Sequence, residues 1–489
     1  MTTGNKIRSG AVWSFMGSTG SQIISFVFGI VLARMLAPEV FGMLLTIQVF
    51  TGVAGFIAGA GMGQALVRAK DTSRADYDIV FTLQMMIGGL ICAIFFFSGP
   101  IIADWYDTPV YSDLIRVSAL SFLLRPFNNV PASILHREMR FKDMVWVRFL
   151  GQIASNLSCI ALAYYGFGVW ALILGGMVSP LITIPLFSMQ AKWRPGLSLN
   201  IARVKDIARY GMMVSVTDII VYARSRVSAL MLSRSLGPAA VGLYNKGESL
   251  ADMPNSFITG SVYQVLFRTL AAEQDNLDRC RYLFFRSITL VAVYGTPFYI
   301  GLLWLSEPLI RGVYGEKWVE AAGPLFILIF AWPFWLLDML SGAVLAAFAW
   351  LHREVVSQTA TLIVTCITIL IGLDFGIKGV AWALVFSAAF SAIFMHTLAI
   401  RCLKAHWLDF ARALAPAAIL NSILAASLFL FSAVLPAQIK SNDYAYLVVL
   451  GGLGAIVYAL SFLYLPIKGM AAEQNRWKEK LGRPLKPKT

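Results

Sequence analysis

The chain has 489 residues, 58% of them hydrophobic and only 13% charged, with a formal net charge of +14. A soluble globular chain is about half apolar and about a quarter charged, so this composition excludes an ordinary soluble domain. The basic excess is no argument for nucleic acid, because the bases fall in short stretches between apolar runs, where membrane topology accounts for them.

Apolar runs of about twenty residues, enough to cross a ~30 Å hydrocarbon core at ~1.5 Å per residue, recur from end to end. The first, 11–32, follows Lys6 and Arg8. It is too long for a signal peptide and lacks a clear small-residue cleavage site, so it is read as a retained spanning helix. Thirteen more are expected near 41–62, 79–98, 114–135, 144–165, 169–189, 210–232, 240–265, 284–305, 320–348, 355–373, 379–400, 411–434 and 445–465. Pro126 and Pro333 interrupt the fourth and tenth of these, as hinges for rocking or as fixed kinks. The basic tail, Lys468 to Lys488 with Trp477, is expected against an anionic cytoplasmic leaflet. The five cysteines show no CxxC and no regular spacing, and the four histidines are equally scattered, so neither a disulfide framework nor a metal site is indicated.

Charge asymmetry orients this map. Seven of the 40 Lys and Arg fall outside: Arg34, Arg116, Arg234, Arg311, Lys317, Lys378 and Lys440. Four more lie inside helices, leaving 29 on the other face, which puts both termini in the cytoplasm.

An internal repeat runs through the chain. Leu32, Arg34, Leu36, Pro38 and Gly42 match Leu232, Arg234, Leu236, Pro238 and Gly242, offset by 200 residues. Leu135-His136-Arg137-Glu138 echoes Leu351-His352-Arg353-Glu354, and Gly168-Val169-Trp170-Ala171-Leu172 echoes Gly379-Val380-Ala381-Trp382-Ala383-Leu384. Each pair lies six helices apart, an even number, so the halves share one orientation. The expected architecture is an all-α polytopic membrane protein of two six-helix lobes related by a parallel repeat, the design of many secondary transporters, plus two C-terminal helices. The lobes are 1–195 and 196–405, followed by 406–467 and the tail 468–489. The plainer account of the repeated segment is a helix–turn–helix in which Pro and Gly stop one helix and start the next, with Arg34 and Arg234 snorkelling to the outer interface.

Leu32-Ala33-Arg34-Met35-Leu36-Ala37-Pro38-Glu39-Val40-Phe41-Gly42 resembles the signature of the polysaccharide-transporter branch of the multidrug/oligosaccharidyl-lipid/polysaccharide (MOP) exporters. Ala65-Leu66-Val67-Arg68 and Tyr244-Asn245 support that resemblance. Arg194-Pro195-Gly196-Leu197 and Tyr314-Gly315-Glu316-Lys317-Trp318 are similar to the colanic-acid-exporter group of Wzx-type flippases. The resemblance implies lobes in a V about a central cleft, alternating access, and an undecaprenyl-pyrophosphate-linked oligosaccharide as substrate. It implies work beside a glycan polymerase and a chain-length regulator, with no cofactor and no covalent chemistry. The sequence itself has no Walker motif and no Ser/His/Asp arrangement.

Ionisable groups at membrane depth cost several kcal/mol unless paired or wetted, so each is a functional candidate. The bases are Arg125, Arg224, Arg226 and Lys246, and the acids Asp218, Glu248, Asp252 and Asp338. At 100° per residue, Asp218, Tyr222 and Arg226 share a face of the seventh helix, and Arg224 points elsewhere. Ser14, Ser18, Ser21, Gln22 and Ser25 make a polar stripe on the first helix, with Ser18 and Gln22 at the repeat positions of Asp218 and Tyr222. Asn128 and Asn129, beside Pro126, are candidates to satisfy freed backbone or touch sugar. Arg and Lys suit a pyrophosphate, whereas the acids are candidates for ion coupling. The competing account cancels four bases against four acids as internal ion pairs.

Rival functions are a multidrug or peptidoglycan-precursor exporter of the same superfamily, a membrane glycan polymerase or ligase, and a non-transporting scaffold. Drug exporters commonly rely on an embedded acid in the first lobe, and the first six helices here hold none. The outside loops near 99–113 and 306–319 are too short for a catalytic domain.

Overall fold

A backbone polar group left unbonded in hydrocarbon costs several kcal/mol, so an apolar run becomes a helix that satisfies its own backbone. The computed structural model describes residues 3–59, 61–68, 72–198, 201–467 and 469–481, and among these there are helices and no strand. Ten stretches among the described residues are long and apolar enough to cross a membrane, one of them, His352–Leu403, holding two of the expected spans. The expected spans near 114–135, 210–232 and 240–265 lie in other helices.

The chain divides into two compact units, Met1–Gly242 and Leu243–Thr489. The first contains α1 (Thr3–Met35), α2 (Pro38–Gly59), α3 (Met62–Arg68), α4 (Arg74–Trp105), α5 (Val110–Ala119), α6 (Ser121–Arg137), α7 (Phe141–Tyr164), α8 (Val169–Ala191) and the first arm of α9 (Ile201–Ala272). Gly237, at φ 82° and ψ 173°, kinks α9 where a residue with a Cβ would be strained. The second unit takes the rest of α9, α10 (Leu277–Tyr314), α11 (Ala322–Leu328), α12 (Trp332–Ala347), α13 (Leu351–Gly372), α14 (Gly376–Leu403), α15 (Trp407–Val434), α16 (Ala437–Lys440), α17 (Asp443–Tyr464) and α18 (Ala471–Lys480). Its core runs through α10, α12, α14 and α15, where Trp332 stacks on Tyr299 at 4.4 Å between ring centroids.

The two prolines behave differently. Pro126 lies inside α6 and cannot donate to the carbonyl of Phe122, four residues back. That carbonyl faces Gly88 of α4, where a Cβ would lie 2.7 Å from it. Pro333 is corrected from mid-helix to the first turn of α12, where a missing N–H costs little. Short 3-10 turns, Glu316–Ala321 and Ile329–Ala331, interrupt the α-helical winding within the span Glu316–Ala347.

The two copies of the repeated motif pack on each other within the first unit. A Cβ on Gly42 would lie 1.7 Å from the Pro238 carbonyl oxygen, and a Cβ on Gly242 would lie 2.0 Å from that of Pro38. Beside this crossing Thr46 donates to Ser233 at 2.7 Å, and Arg234 lies 3.6 Å from Asp107. Arg234 thus has an acidic neighbour besides the interface to which it was expected to snorkel.

Part of the basic tail is helical and docked on protein. In α18 the buried Gln474 amide donates to the carbonyls of Phe462 and Leu465, and Trp477 donates to the Tyr294 hydroxyl. Lys468 and residues 482–489 of the tail lie outside the described residues.

Candidate functional site

Two glycines of α2 make room for side chains from other helices, Gly55 for Arg125 of α6 and Gly52 for Tyr222 of α9. A Cβ on Gly55 would lie 2.2 Å from one Arg125 terminal nitrogen, and a Cβ on Gly52 would lie 2.0 Å from the Tyr222 hydroxyl. Gly52 and Gly55, about one turn apart on α2, therefore form a flat strip on which a guanidinium and a phenol from two other helices rest.

Tyr222 is held firmly. Its hydroxyl donates to the Gln48 carbonyl at 2.6 Å and its ring packs on Phe56 at 5.4 Å. The guanidinium of Arg226, one turn further along α9, lies 5.6 Å from the Tyr222 ring centroid, and that of Arg125 lies 5.1 Å from the Phe122 ring. Cation–π contacts of this kind contribute roughly 0.5–2 kcal/mol and leave the N–H fork available. The Nε of Arg226 is buried without a hydrogen-bond partner. Among the described residues no carboxylate lies within 4.0 Å of Arg125, Arg224 or Arg226. Arg224 is partly buried and joins neither ring.

Other candidates are dispersed. Asp218 stands on the same arm of α9, and its side chain lies outside the described residues. Ser18 and Gln22 are exposed on α1, while Ser21 and Ser25 of the same stripe are bound by Gln152 of α7. Asn128 accepts from Thr183 at 2.8 Å, and the carbonyl of Asn129 accepts from Ser133. In the second unit, the Lys246 ammonium lies 4.6 Å from the ring centroid of Tyr314 and 5.1 Å from that of Trp318, both buried. Asp252 is exposed and accepts from Asn255, Glu248 is partly buried, and Asp338 accepts from Ser391 at 2.6 Å. The first unit thus collects Arg125, Tyr222 and Arg226, and the second holds Lys246 in an aromatic box. Gly52, Gly55, Phe56 and Gln48 were not among the sequence candidates; the small-residue spacing Gly52-x-x-Gly55 was the available signal.

Residues 31–323 match a family model described as "Polysaccharide biosynthesis protein". The chain is 26% identical over 320 residues to the lipopolysaccharide biosynthesis protein WzxC of Escherichia coli (strain K12), covering 65% of each chain. It is 27% identical over 311 residues to the succinoglycan biosynthesis transport protein ExoT of Rhizobium meliloti (strain 1021), covering 63% of each. The matched segment thus spans just under two thirds of these relatives' length. Among solved structures, the lipid II flippase MurJ in its inward closed conformation superposes with a TM-score of 0.75 at 14% identity, covering 97% of this chain and 100% of that one. An inward-facing multidrug MATE transporter of the MOP superfamily gives 0.62 at 16% identity, covering 78% and 94%. These likenesses give the fold: an all-α, multi-pass architecture.

Proposed function

The chain belongs to the polysaccharide biosynthesis protein family, and from that membership we propose that it moves an undecaprenyl-pyrophosphate-linked oligosaccharide across the bacterial inner membrane. Transport proceeds by alternating access of the lobes that the repeat defines, 1–195 and 196–405, with 406–467 accessory. Both termini are cytoplasmic, as the 29-to-7 bias of basic residues indicates. A glycan polymerase and a chain-length regulator receive the product. The relatives are named as biosynthesis and transport proteins, and no covalent step is assigned to this chain.

The observation that carries this reading is the pair of guanidinium groups beside Tyr222. Internal ion pairing would bring a carboxylate to Arg125 or Arg226, and among the described residues neither has one within 4.0 Å. A partly buried guanidinium with no carboxylate beside it among the described residues can take a diphosphate through bidentate hydrogen bonds. Lys246, beside Tyr314 and Trp318 in the second unit, is a further cation assigned to the substrate. Arg224, Ser18, Gln22, Asn128 and Asn129 remain assigned to substrate, and Asp218, Glu248, Asp252 and Asp338 to ion coupling.

The test is a clean deletion, complemented by wild type, Arg125→Gln, Arg226→Gln, Lys246→Gln and Asp218→Asn/Arg226→Gln, scored for exported polymer and for protein level. Deletion should leave lipid-linked repeat units on the cytoplasmic side. The single Gln variants should be inserted normally and transport poorly. Normal export in the deletion strain with no second flippase present refutes the function. Full transport in the single variants, or rescue by the double variant, refutes the anion site. A reporter fused to the C-terminus should read as cytoplasmic, and a periplasmic signal would overturn the orientation.

A further inference from the structure

The second unit carries two adjoining cavities on elements that contribute nothing to the Arg125–Tyr222 cluster. The larger, about 1190 Å³, lies among the ends of α10 and α17, α11, and the turn before α14. It exceeds the roughly 300–1,000 Å³ of a small-molecule site. Its wall mixes hydrogen-bonding groups, such as Glu320 and Asp443, with aromatic faces of Trp304, Phe326 and Tyr446. Arg311, also in the wall, is already committed to Glu307 at 2.6 Å, Glu316 at 3.0 Å and Asp443 at 3.6 Å. The smaller cavity, about 430 Å³, is a groove between α13 and α14 lined almost wholly by apolar groups, including Ile371, Trp382 and Phe386. Gly372 and Gly379 let the two backbones close beneath it: a Cβ on Gly372 would lie 2.6 Å from the Gly379 carbonyl oxygen.

Phe375 and Lys378 line both cavities. The exposed Lys378 stem crosses Gly323, where a Cβ would lie 2.7 Å from its Cε, so glycine there leaves room for the stem and its ammonium at the junction. Lys378 makes no ion pair among the described residues. An aromatic ladder joins the two spaces as well: Trp382 of the groove stacks on Phe330, which meets Phe326 of the large cavity edge-on. The order along the surface is apolar groove, Lys378, large polar-aromatic cavity, whose wall also holds Lys440, its ammonium donating to the Ala433 carbonyl at 3.1 Å.

We infer that this is a second binding site, for an isoprenoid pyrophosphate that bears an oligosaccharide. The isoprenoid chain lies in the groove, the pyrophosphate on Lys378, and the sugars in the large cavity, stacking on its aromatic faces. The substrate class rests on the function proposed above. In the orientation proposed there the site opens outside the cytoplasm, so it holds the product after translocation. An anionic phospholipid shares the apolar tail and the phosphate, but its small headgroup leaves most of the 1190 Å³ empty.

The test measures equilibrium binding of radiolabelled undecaprenyl pyrophosphate to the full chain in phosphatidylethanolamine nanodiscs. Wild type should show two sites. Lys378→Gln and Trp382→Ala should each weaken one of them about tenfold, ~1.4 kcal/mol, and leave the other, whereas Arg125→Gln should do the reverse. Both positions are exposed, and nanodisc recovery checks that each variant is folded. Two unchanged sites in both variants overturn the inference, as does displacement of the probe by phosphatidylglycerol with equal affinity. A response to Arg125→Gln without one to Lys378→Gln or Trp382→Ala sinks this site and spares the proposed function. No binding by wild type sinks both.

Discussion

Two alanine substitutions one turn apart on α2 should have opposite signatures. At Gly55 the new methyl carbon would lie 2.2 Å from an Arg125 terminal nitrogen and 2.7 Å from Cζ. Ordinary contact needs about 3.5 Å or more, so the guanidinium must withdraw by roughly 1.3 Å. It is the far end of a flexible side chain, and Ala gains ~1 kcal/mol over Gly in helix propensity, so stability should barely change. A charge-assisted hydrogen bond at about 2.8 Å does not survive that withdrawal. Its loss, roughly 1.5–3 kcal/mol, weakens anion binding about 10- to 100-fold. At Gly52 the methyl would lie 2.0 Å from the Tyr222 hydroxyl and 2.2 Å from Cζ, against a ring pinned by Gln48 and Phe56. Overpacking there should cost about 1–3 kcal/mol, with about 1 kcal/mol more for the displaced hydrogen bond. The assay is polysaccharide export in a deletion strain, divided by membrane protein level. Gly55→Ala should be abundant and inactive, Gly52→Ala scarce. Wild-type export per molecule by Gly55→Ala would refute the role given to Arg125.

Two further outcomes follow from close packing. Gly42→Ala meets a backbone carbonyl at 1.7 Å, which no side-chain movement relieves; it should destabilise by at least ~3 kcal/mol and lower the melting temperature of the purified protein, and an unchanged melting temperature would deny the contact. Gln474→Ala leaves the Phe462 and Leu465 carbonyls unpaired at a cost of about 1–3 kcal/mol; limited proteolysis should then cut α18 faster, and equal cutting rates would mean that α18 is held by other groups.

Eleven of the fourteen expected spans were legible, because hydrocarbon imposes length and apolarity on a span. The same constraint made Arg125 conspicuous, since a base within an apolar run needs a reason. Its surroundings were not legible. Nothing in a single helix says which neighbour a glycine admits, so Gly52 and Gly55 acquired meaning only when Tyr222 and Arg125 arrived from other helices. Helical spacing placed Tyr222 and Arg226 on one face, and the structure brings them into contact. Spacing does not report what lies opposite. Lys246 received Tyr314 and Trp318, some seventy positions away, and Ser21 and Ser25 were taken by Gln152 of α7. Pro333 looked like Pro126 in its tripeptide, yet it starts a helix, because the chain before it winds into 3-10 turns.

The reciprocal crossing of Pro38–Gly42 with Pro238–Gly242 has the form of an isologous contact: each motif offers its glycine to the other's proline carbonyl. A two-fold axis between identical halves produces that pattern without further specification. A half-length ancestor pairing with a second copy of itself would have met its partner through a single glycine position, read twice. Once the halves are joined in one chain the symmetry no longer copies the residue, and each glycine stands alone. A change at Gly42 cannot be matched by the same change at Gly242, since each added methyl group strikes its own carbonyl and the two clashes add. Glycine at each of these two positions is therefore required by the other copy's backbone, whatever the cargo.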